Sequence, residues 1–83
     1  MILTDMQPGQ YCMILFVRRG GGGVRRLADL GVIPGAVVQV LACHPAGGPI
    51  VLQLGGSHVA VGRGLASAIE VVPAEPDDRR GSP

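Results

Sequence analysis

Four side chains of this 83-residue sequence could bind a soft metal ion: Cys12, Cys43, His44 and His58. Cys12 alternates with Ile14 and Phe16 in an apolar run, where a free cysteine behaves as a small buried hydrophobic residue. Cys43 and His58 are predicted to face outward, and His44 follows Cys43 directly. A tetrahedral Zn²⁺ site needs four ligands, or three plus a water or a second chain. No pair of these residues has a spacing that is familiar from zinc sites, so we expect no required cofactor. The alternative hypothesis is a Zn²⁺ or Fe²⁺ site at Cys43, His44 and His58 that a homodimer could share.

A run of four glycines, Gly20 to Gly23, lies between a predicted strand and a predicted helix, where phosphate-binding loops occur. A P-loop ends in Gly-Lys-Ser/Thr, and the sequence contains no lysine. A dinucleotide fingerprint that starts at Gly20 requires glycine at the position of Arg25. The glycine run is therefore predicted to be a flexible connection and not a nucleotide site.

The remaining polar residues do not form a recognisable catalytic set. Asp5, Asp29 and Glu70 belong to three different predicted elements, and no serine or cysteine lies in a nucleophile motif. We therefore expect that the protein is not an enzyme.

Four arginines flank the glycine run: Arg18, Arg19, Arg25 and Arg26. They could bind an acidic partner surface or an anion, or they could be solvated, and the sequence leaves these alternatives open. The formal net charge is only +1, so bulk charge predicts binding neither to nucleic acid nor to a membrane surface. Tyr11 and Phe16 are the only aromatic residues, too few to stack bases or to line a groove for proline-rich peptides.

Short apolar runs between glycines and prolines predict a mainly β fold of about five strands, at residues 10–17, 36–43, 50–54, 57–61 and 69–72. Leu27 and Leu30 share one face of a predicted helix at 24–30, and a helical turn is predicted at 62–68. Gly55-Gly56 joins two alternating runs and predicts a hairpin that pairs Leu52 with Val59 and Gln53 with His58. Closing these strands into a small barrel would remove exposed edges.

The sequence also gives expectations for the cellular location of the protein and for the limits of its folded domain. No run of about 20 apolar residues predicts a membrane span, and no signal peptide is recognisable. Two cysteines are too few for a secreted disulfide scaffold, so we expect a cytoplasmic protein with reduced thiols. Residues 1–72 are predicted to form one domain, and residues 73–83, which carry no core residue, a disordered tail.

The order of several motifs resembles the ferrous iron transport protein A (FeoA) family over residues 3–72. The series begins with LTDMQPG at residues 3–9 and continues with RRLADLGVIPG at 25–35. It ends with GPI at 48–50, AVGRGLA at 60–66 and IEV at 69–71. The Leu-Gly-x-x-Pro-Gly core is moderately specific, and the full ordered series is considerably more so.

The resemblance implies a free-standing SH3-like barrel that acts as a small cytoplasmic partner of FeoB, a membrane transporter that carries a GTP-binding domain and moves Fe²⁺ inward. It implies no enzymatic activity, and the composition leads us to expect neither binding to nucleic acid nor membrane insertion. Two alternatives stay open: a metal-responsive protein that uses Cys43, His44 and His58, and an SH3-like interaction module with another partner. Gly31 would cap the helix, and Pro34-Gly35 would turn the chain into the second strand. Leu27 and Leu30 would be largely buried. The residues that we expect to bind the partner lie along this helix and in the second one: Arg25, Arg26, Leu27, Leu30 and Arg63.

Overall fold

The computed structural model describes residues 1–43 and 47–76. Its five strands are β1 (Tyr11–Val17), β2 (Val37–Cys43), β3 (Ile50–Leu54), β4 (Ser57–Val61) and β5 (Ile69–Ala74). Its helices are a 3₁₀ turn (Leu3–Asp5), α1 (Gly22–Asp29) and α2 (Arg63–Ala66). The mainly β fold is confirmed, with helices at both predicted places. β5 runs two residues past the predicted end at residue 72, because Ala74 is the register partner of Tyr11.

The five strands form one antiparallel sheet in the order β4-β3-β2-β1-β5. The sheet is not closed, since β4 and β5 are its two edges. It curls around a single core to which all five strands contribute buried aliphatic side chains. The expected barrel is therefore a curled open sheet, in which shared burial, and not a complete ring of hydrogen bonds, holds the edges around the core.

The hairpin of β3 and β4 has the register that the sequence predicts. Leu52 pairs with Val59, Ile50 with Val61, and Gln53 with His58. The connecting turn requires a positive φ only at Gly55, whose φ is 58°. A positive φ at the first of two turn residues is the pattern of a type II′ turn, which suits the twist of a hairpin.

The pairing of β2 with β3 contains a bulge that the sequence does not reveal. Val40 pairs with Leu52, but the next pair along the strand is Ala42 with Val51. The extra residue, Leu41, reverses the alternation of the side chains that follow it. Cys43 consequently pairs with the buried Ile50 and packs against the core. The prediction that Cys43 faces outward is therefore wrong.

Two Pro-Gly turns fix both ends of the short ladder between β1 and β2. In each turn glycine has a positive φ, 93° at Gly9 and 91° at Gly35, and the flanking residues are joined by an N–H to C=O bond of 3.1 Å and 3.0 Å. Proline followed by such a glycine is typical of a type II turn. The amide of Gly9 also donates to the Val40 oxygen, and that of Gly35 donates to the Ile14 oxygen.

Candidate partner-binding surface

The end of helix α1 is fixed by backbone hydrogen bonds around Gly31. Gly31 has a φ of 94°, its amide donates to the Ala28 oxygen, and the Val32 amide donates to the Leu27 oxygen over 2.8 Å. These two bonds and the positive φ define a Schellman motif, in which glycine avoids the steric cost of the left-handed conformation. Val32 and Leu27, which bracket the motif, are both buried. The predicted glycine cap is therefore present.

The two leucines of this segment have opposite surroundings. Leu27 is 4% exposed and belongs to the core cluster. Leu30 is 47% exposed, because a spacing of three residues places it about 60° around the helix axis from Leu27, off the buried stripe. The prediction that both leucines are largely buried is correct for Leu27 and wrong for Leu30.

The exposed side of α1 combines positive charge with an aliphatic side chain. Arg25 and Arg26 are exposed, and Arg26 shares a helix face with Leu30, four residues along. We name Arg25, Arg26 and Leu30 the α1 surface. Ile33, which is 46% exposed, follows directly in the turn that ends at Ala36. The sequence reasoning missed Ile33, although its place between the helix cap and a Pro-Gly turn predicts a loop residue.

Helix α2 lies against the start of α1 but directs its arginine elsewhere. A Cβ atom added to Gly23 would lie 3.2 Å from Leu65 Cδ2, so the two helices approach closely at this point. Arg63 is half-buried, and its Nη2 lies 3.6 Å from the Cys43 Sγ. Arg63, which was predicted to bind the partner, therefore links α2 to the end of β2 and is not an exposed part of the α1 surface.

Two of the three predicted metal ligands, Cys43 and His58, lie on opposite sides of the sheet. Cys43 lies on the core side of the sheet, whereas His58 pairs with Gln53 on the outer side and is exposed. His44 lies outside the described residues. No group of three or more metal-binding side chains occurs within residues 1–43 and 47–76. Cys43 and His58 of one molecule therefore do not fit a common Zn²⁺ or Fe²⁺ ion.

The other cysteine is buried and unreactive. Cys12 is fully buried, as its alternation with Ile14 predicts, and burial raises the pKa of its thiol from the ordinary 9.0 to about 11. Because the thiolate is the nucleophile and the metal ligand, Cys12 is protonated and inert at neutral pH.

One ion-pair cluster ties the glycine-rich connection to the last strand. The carboxylate of Glu70, on a side chain that is 12% exposed, pairs with the Arg18 guanidinium and lies 3.5 Å from the amino group of Met1. Arg18 thus has a structural partner. Sequence reasoning treated Glu70 as one of several scattered acids, because its partners are distant along the chain.

Among the described residues, no helix combines the length and the apolar character that a membrane crossing requires.

Comparisons with known proteins agree on one family. A protein-family model described as the FeoA domain matches residues 1–73. The Fe(2+) transport protein A of Methanocaldococcus jannaschii is 33% identical over 73 residues, which make up 88% of this chain and 87% of that protein. A crystal structure of an iron uptake regulatory protein (FeoA) has a TM-score of 0.80 at 35% identity, covering 89% of this chain and 97% of that one.

A fourth similarity concerns the fold and a bound metal. The crystal structure of Stenotrophomonas maltophilia FeoA, complexed with zinc and described as an SH3 domain protein, has a TM-score of 0.74 at 25% identity. The alignment covers 87% of this chain and 89% of that one. The curled five-stranded sheet is thus shared with proteins named for ferrous iron transport. This chain belongs to the FeoA family, which is a family of ferrous iron transport proteins and not a known enzyme family.

Proposed function

We propose that the protein is a small cytoplasmic accessory protein of ferrous iron uptake, which binds the cytoplasmic GTPase part of a FeoB-type membrane transporter. The observation that carries the proposal is the match of the FeoA family model to residues 1–73. The described residues form no catalytic constellation, and we propose that the protein acts through contacts of its surface with a partner. We further propose that the curled sheet is one SH3-like domain. Its C-terminal boundary is Ala74, where β5 ends, and not residue 72 as the sequence predicts.

We propose the α1 surface as the docking site. Arg25 and Arg26 give it positive charge, and Leu30 gives it an exposed aliphatic anchor. The Schellman motif and the turn at Pro34-Gly35 hold the end of α1 in one conformation, so little conformational entropy is lost when a partner binds. The complementary surface on the transporter would be an apolar depression with an acidic rim.

Binding of the purified protein to the soluble GTPase domain, and to the full transporter in detergent, tests the proposal with and without GTP. Leu30→Ser should weaken binding by roughly 5- to 30-fold, since loss of a central apolar anchor commonly costs about 1–2 kcal/mol. Arg26→Glu should weaken it further at low salt. The matched control is Leu15→Ser, because Leu15 is 39% exposed but lies on β1.

Two outcomes would contradict different parts of the proposal. Absence of binding to the GTPase domain and to the full transporter, in every nucleotide state, would overturn the proposed partner. Binding that Leu30→Ser and Leu15→Ser weaken equally would retain the partner and overturn the α1 surface as the docking site.

A second candidate function is divalent-metal binding, which the zinc in the S. maltophilia FeoA structure favours. His58 is exposed on β4, and Cys43 lies on the other side of the sheet. We therefore propose that a bound ion would use His58 with ligands of a second molecule, and not Cys43. In equilibrium dialysis with Fe²⁺ and Zn²⁺, His58→Ala should abolish binding and Cys43→Ser should preserve it. Equal binding by the wild type and His58→Ala would exclude this candidate.

A further inference from the structure

The two edges of the sheet are protected to very different degrees. Along β5, the Val71 amide donates to the Met1 oxygen over 2.8 Å, and Ile2 forms an isolated antiparallel bridge with Glu70. Pro73, further along the same strand, has no N–H group to offer. A covering segment and a proline are two of the devices by which proteins prevent an edge strand from pairing with another chain. The β5 edge is therefore largely closed to additional strands.

The β4 edge carries none of these devices. Its five residues, Ser57–Val61, include no proline and no lysine, arginine or acidic residue. Its five pairs with β3 follow one another without a bulge. In the described part of the chain, no backbone group outside the β3–β4 ladder forms a hydrogen bond with β4. β4 is thus a regular edge strand, without proline, lysine, arginine or acidic residues, that is open to pairing.

The hairpin geometry specifies which backbone groups point outward from this edge. Leu54 and Ser57 flank a two-residue turn, so they form a hydrogen-bonded pair, and such pairs alternate with non-bonded pairs along an antiparallel ladder. The pairs Leu52–Val59 and Ile50–Val61 are then hydrogen-bonded, whereas the pairs Gln53–His58 and Val51–Ala60 are not. The N–H and C=O groups of His58 and Ala60 therefore point away from β3.

We propose that the protein forms a homodimer in which the β4 strands of two copies pair antiparallel about a two-fold axis at Val59. In this register His58 faces Ala60 of the partner subunit, and Ala60 faces His58 of the partner subunit. Each of these pairs exchanges two backbone hydrogen bonds, so four bonds satisfy the outward-facing groups of both copies. The product is one continuous ten-stranded sheet.

The side chains favour a second copy as the occupant of this edge. The large His58 would lie beside the small Ala60 of the partner subunit, so the two side chains would not crowd each other. Val59, at the axis, is only 4% exposed because it points into its own core, so it does not obstruct the approach. A pair of five-residue strands buries much less than a standard interface, and we expect a dissociation constant of about 0.1 mM.

Sedimentation velocity in EDTA, from about 10 μM to about 1 mM protein, measures this dimer in the absence of metal. Amide exchange gives a residue-specific measurement. The His58 and Ala60 amides should exchange quickly in dilute solution and at least several-fold more slowly at the highest concentration. The Gly56 amide lies in the turn beyond the paired strands and serves as the control whose exchange should not change.

Three variants test the register. Ala60→Pro removes one outward N–H without disturbing a bond to β3, and it should eliminate dimer over the whole concentration range. The double variant His58→Arg/Ala60→Arg places like charges opposite each other, whereas His58→Glu/Ala60→Arg places opposite charges there. The like charges should raise the dissociation constant of the His58→Arg/Ala60→Arg dimer, and the opposite charges should lower that of the His58→Glu/Ala60→Arg dimer, each by roughly 2- to 30-fold. Both double variants change the same two exposed positions, so their difference does not depend on folding.

Several results would overturn the proposal. A monomer at every concentration, with exchange at His58 and Ala60 independent of concentration, would do so. So would a dimer that the two charge variants affect equally, because its interface would lie elsewhere. A dimer that forms only when Zn²⁺ replaces EDTA would support metal bridging and exclude unassisted pairing of β4.

Discussion

Substituting Gly31 by alanine should destabilise the protein through two separable effects. The φ of Gly31 is 94°, a conformation that costs an alanine about 1–2 kcal/mol. The new Cβ atom would also lie 2.9 Å from Leu54 Cδ2, and moving this half-buried side chain adds about 1 kcal/mol. Alanine also lowers the conformational entropy of the unfolded chain, which offsets about 0.5 kcal/mol of this loss of stability. The net loss is about 2 kcal/mol, which in a domain of this size lowers the Tm by roughly 8–16 °C.

Gly35→Ala is the matched control for the Leu54 contact. Gly35 has a φ of 91°, and a Cβ atom added there meets no atom of the described chain within 4 Å. The Gly35→Ala substitution therefore introduces backbone strain without a steric clash, and it should lower the free energy of unfolding by about 1 kcal/mol. Urea unfolding of both variants and of the wild type gives the two differences directly. Equal losses at Gly31 and Gly35 would refute the steric contribution of Leu54, and losses below about 0.5 kcal/mol at both would refute the strain argument.

Three further predictions concern the core and the ion pairs. Because burial raises the Cys12 pKa from 9.0 to about 11, the free energy of unfolding should be fully retained below pH 9. It should then fall by up to about 3 kcal/mol as the pH rises to 11, a dependence that Cys12→Ala removes in pH-dependent urea unfolding. Leu27→Ala should cost about 2–4 kcal/mol in the same assay, whereas Leu30→Ala should stay within about 0.5 kcal/mol, and equal costs would contradict their assigned burial. Arg18→Gln should lower the Tm more than Glu70→Gln, because it leaves the 12% exposed carboxylate of Glu70 with only the Met1 amino group as a cationic partner, whereas Glu70→Gln leaves two cationic groups that water can solvate. A larger loss for Glu70→Gln would show that Arg18 does not compensate the buried charge.

Local patterns with one structural solution were predictable from the sequence. The alternating runs around Gly55-Gly56 specify both the hairpin and its pairs, because a shift of one residue would turn every buried side chain outward. The two Pro-Gly dipeptides specify turns for a similar reason, since proline and glycine fit successive positions of one turn type. The burial of Cys12 follows from its alternation with Ile14.

Features that depend on distant contacts or on a change of periodicity were not predictable. Leu41 has no glycine or proline beside it, so nothing in the sequence marks the bulge that turns Cys43 toward the core. Leu30 lies three residues after Leu27, but only the packing of the folded chain shows that the buried stripe of α1 includes Leu27 and leaves Leu30 exposed. The ion pairs of Glu70 join residues that only the folded sheet brings together. For the α1 surface, the predicted exposure of Arg25 and Arg26 is confirmed, and the predicted burial of Leu30 is wrong.

The pairing of β1 with β5 has a consequence for synthesis of the protein on the ribosome. Strands β2, β3 and β4 are neighbours in sequence and can pair as they emerge, because their contacts close only short loops. β1 emerges first, yet most of its length pairs with residues 69–74. Its apolar side chains must therefore wait for nearly the whole domain to leave the exit tunnel, and during this interval the nascent chain is most exposed to aggregation and to chaperones.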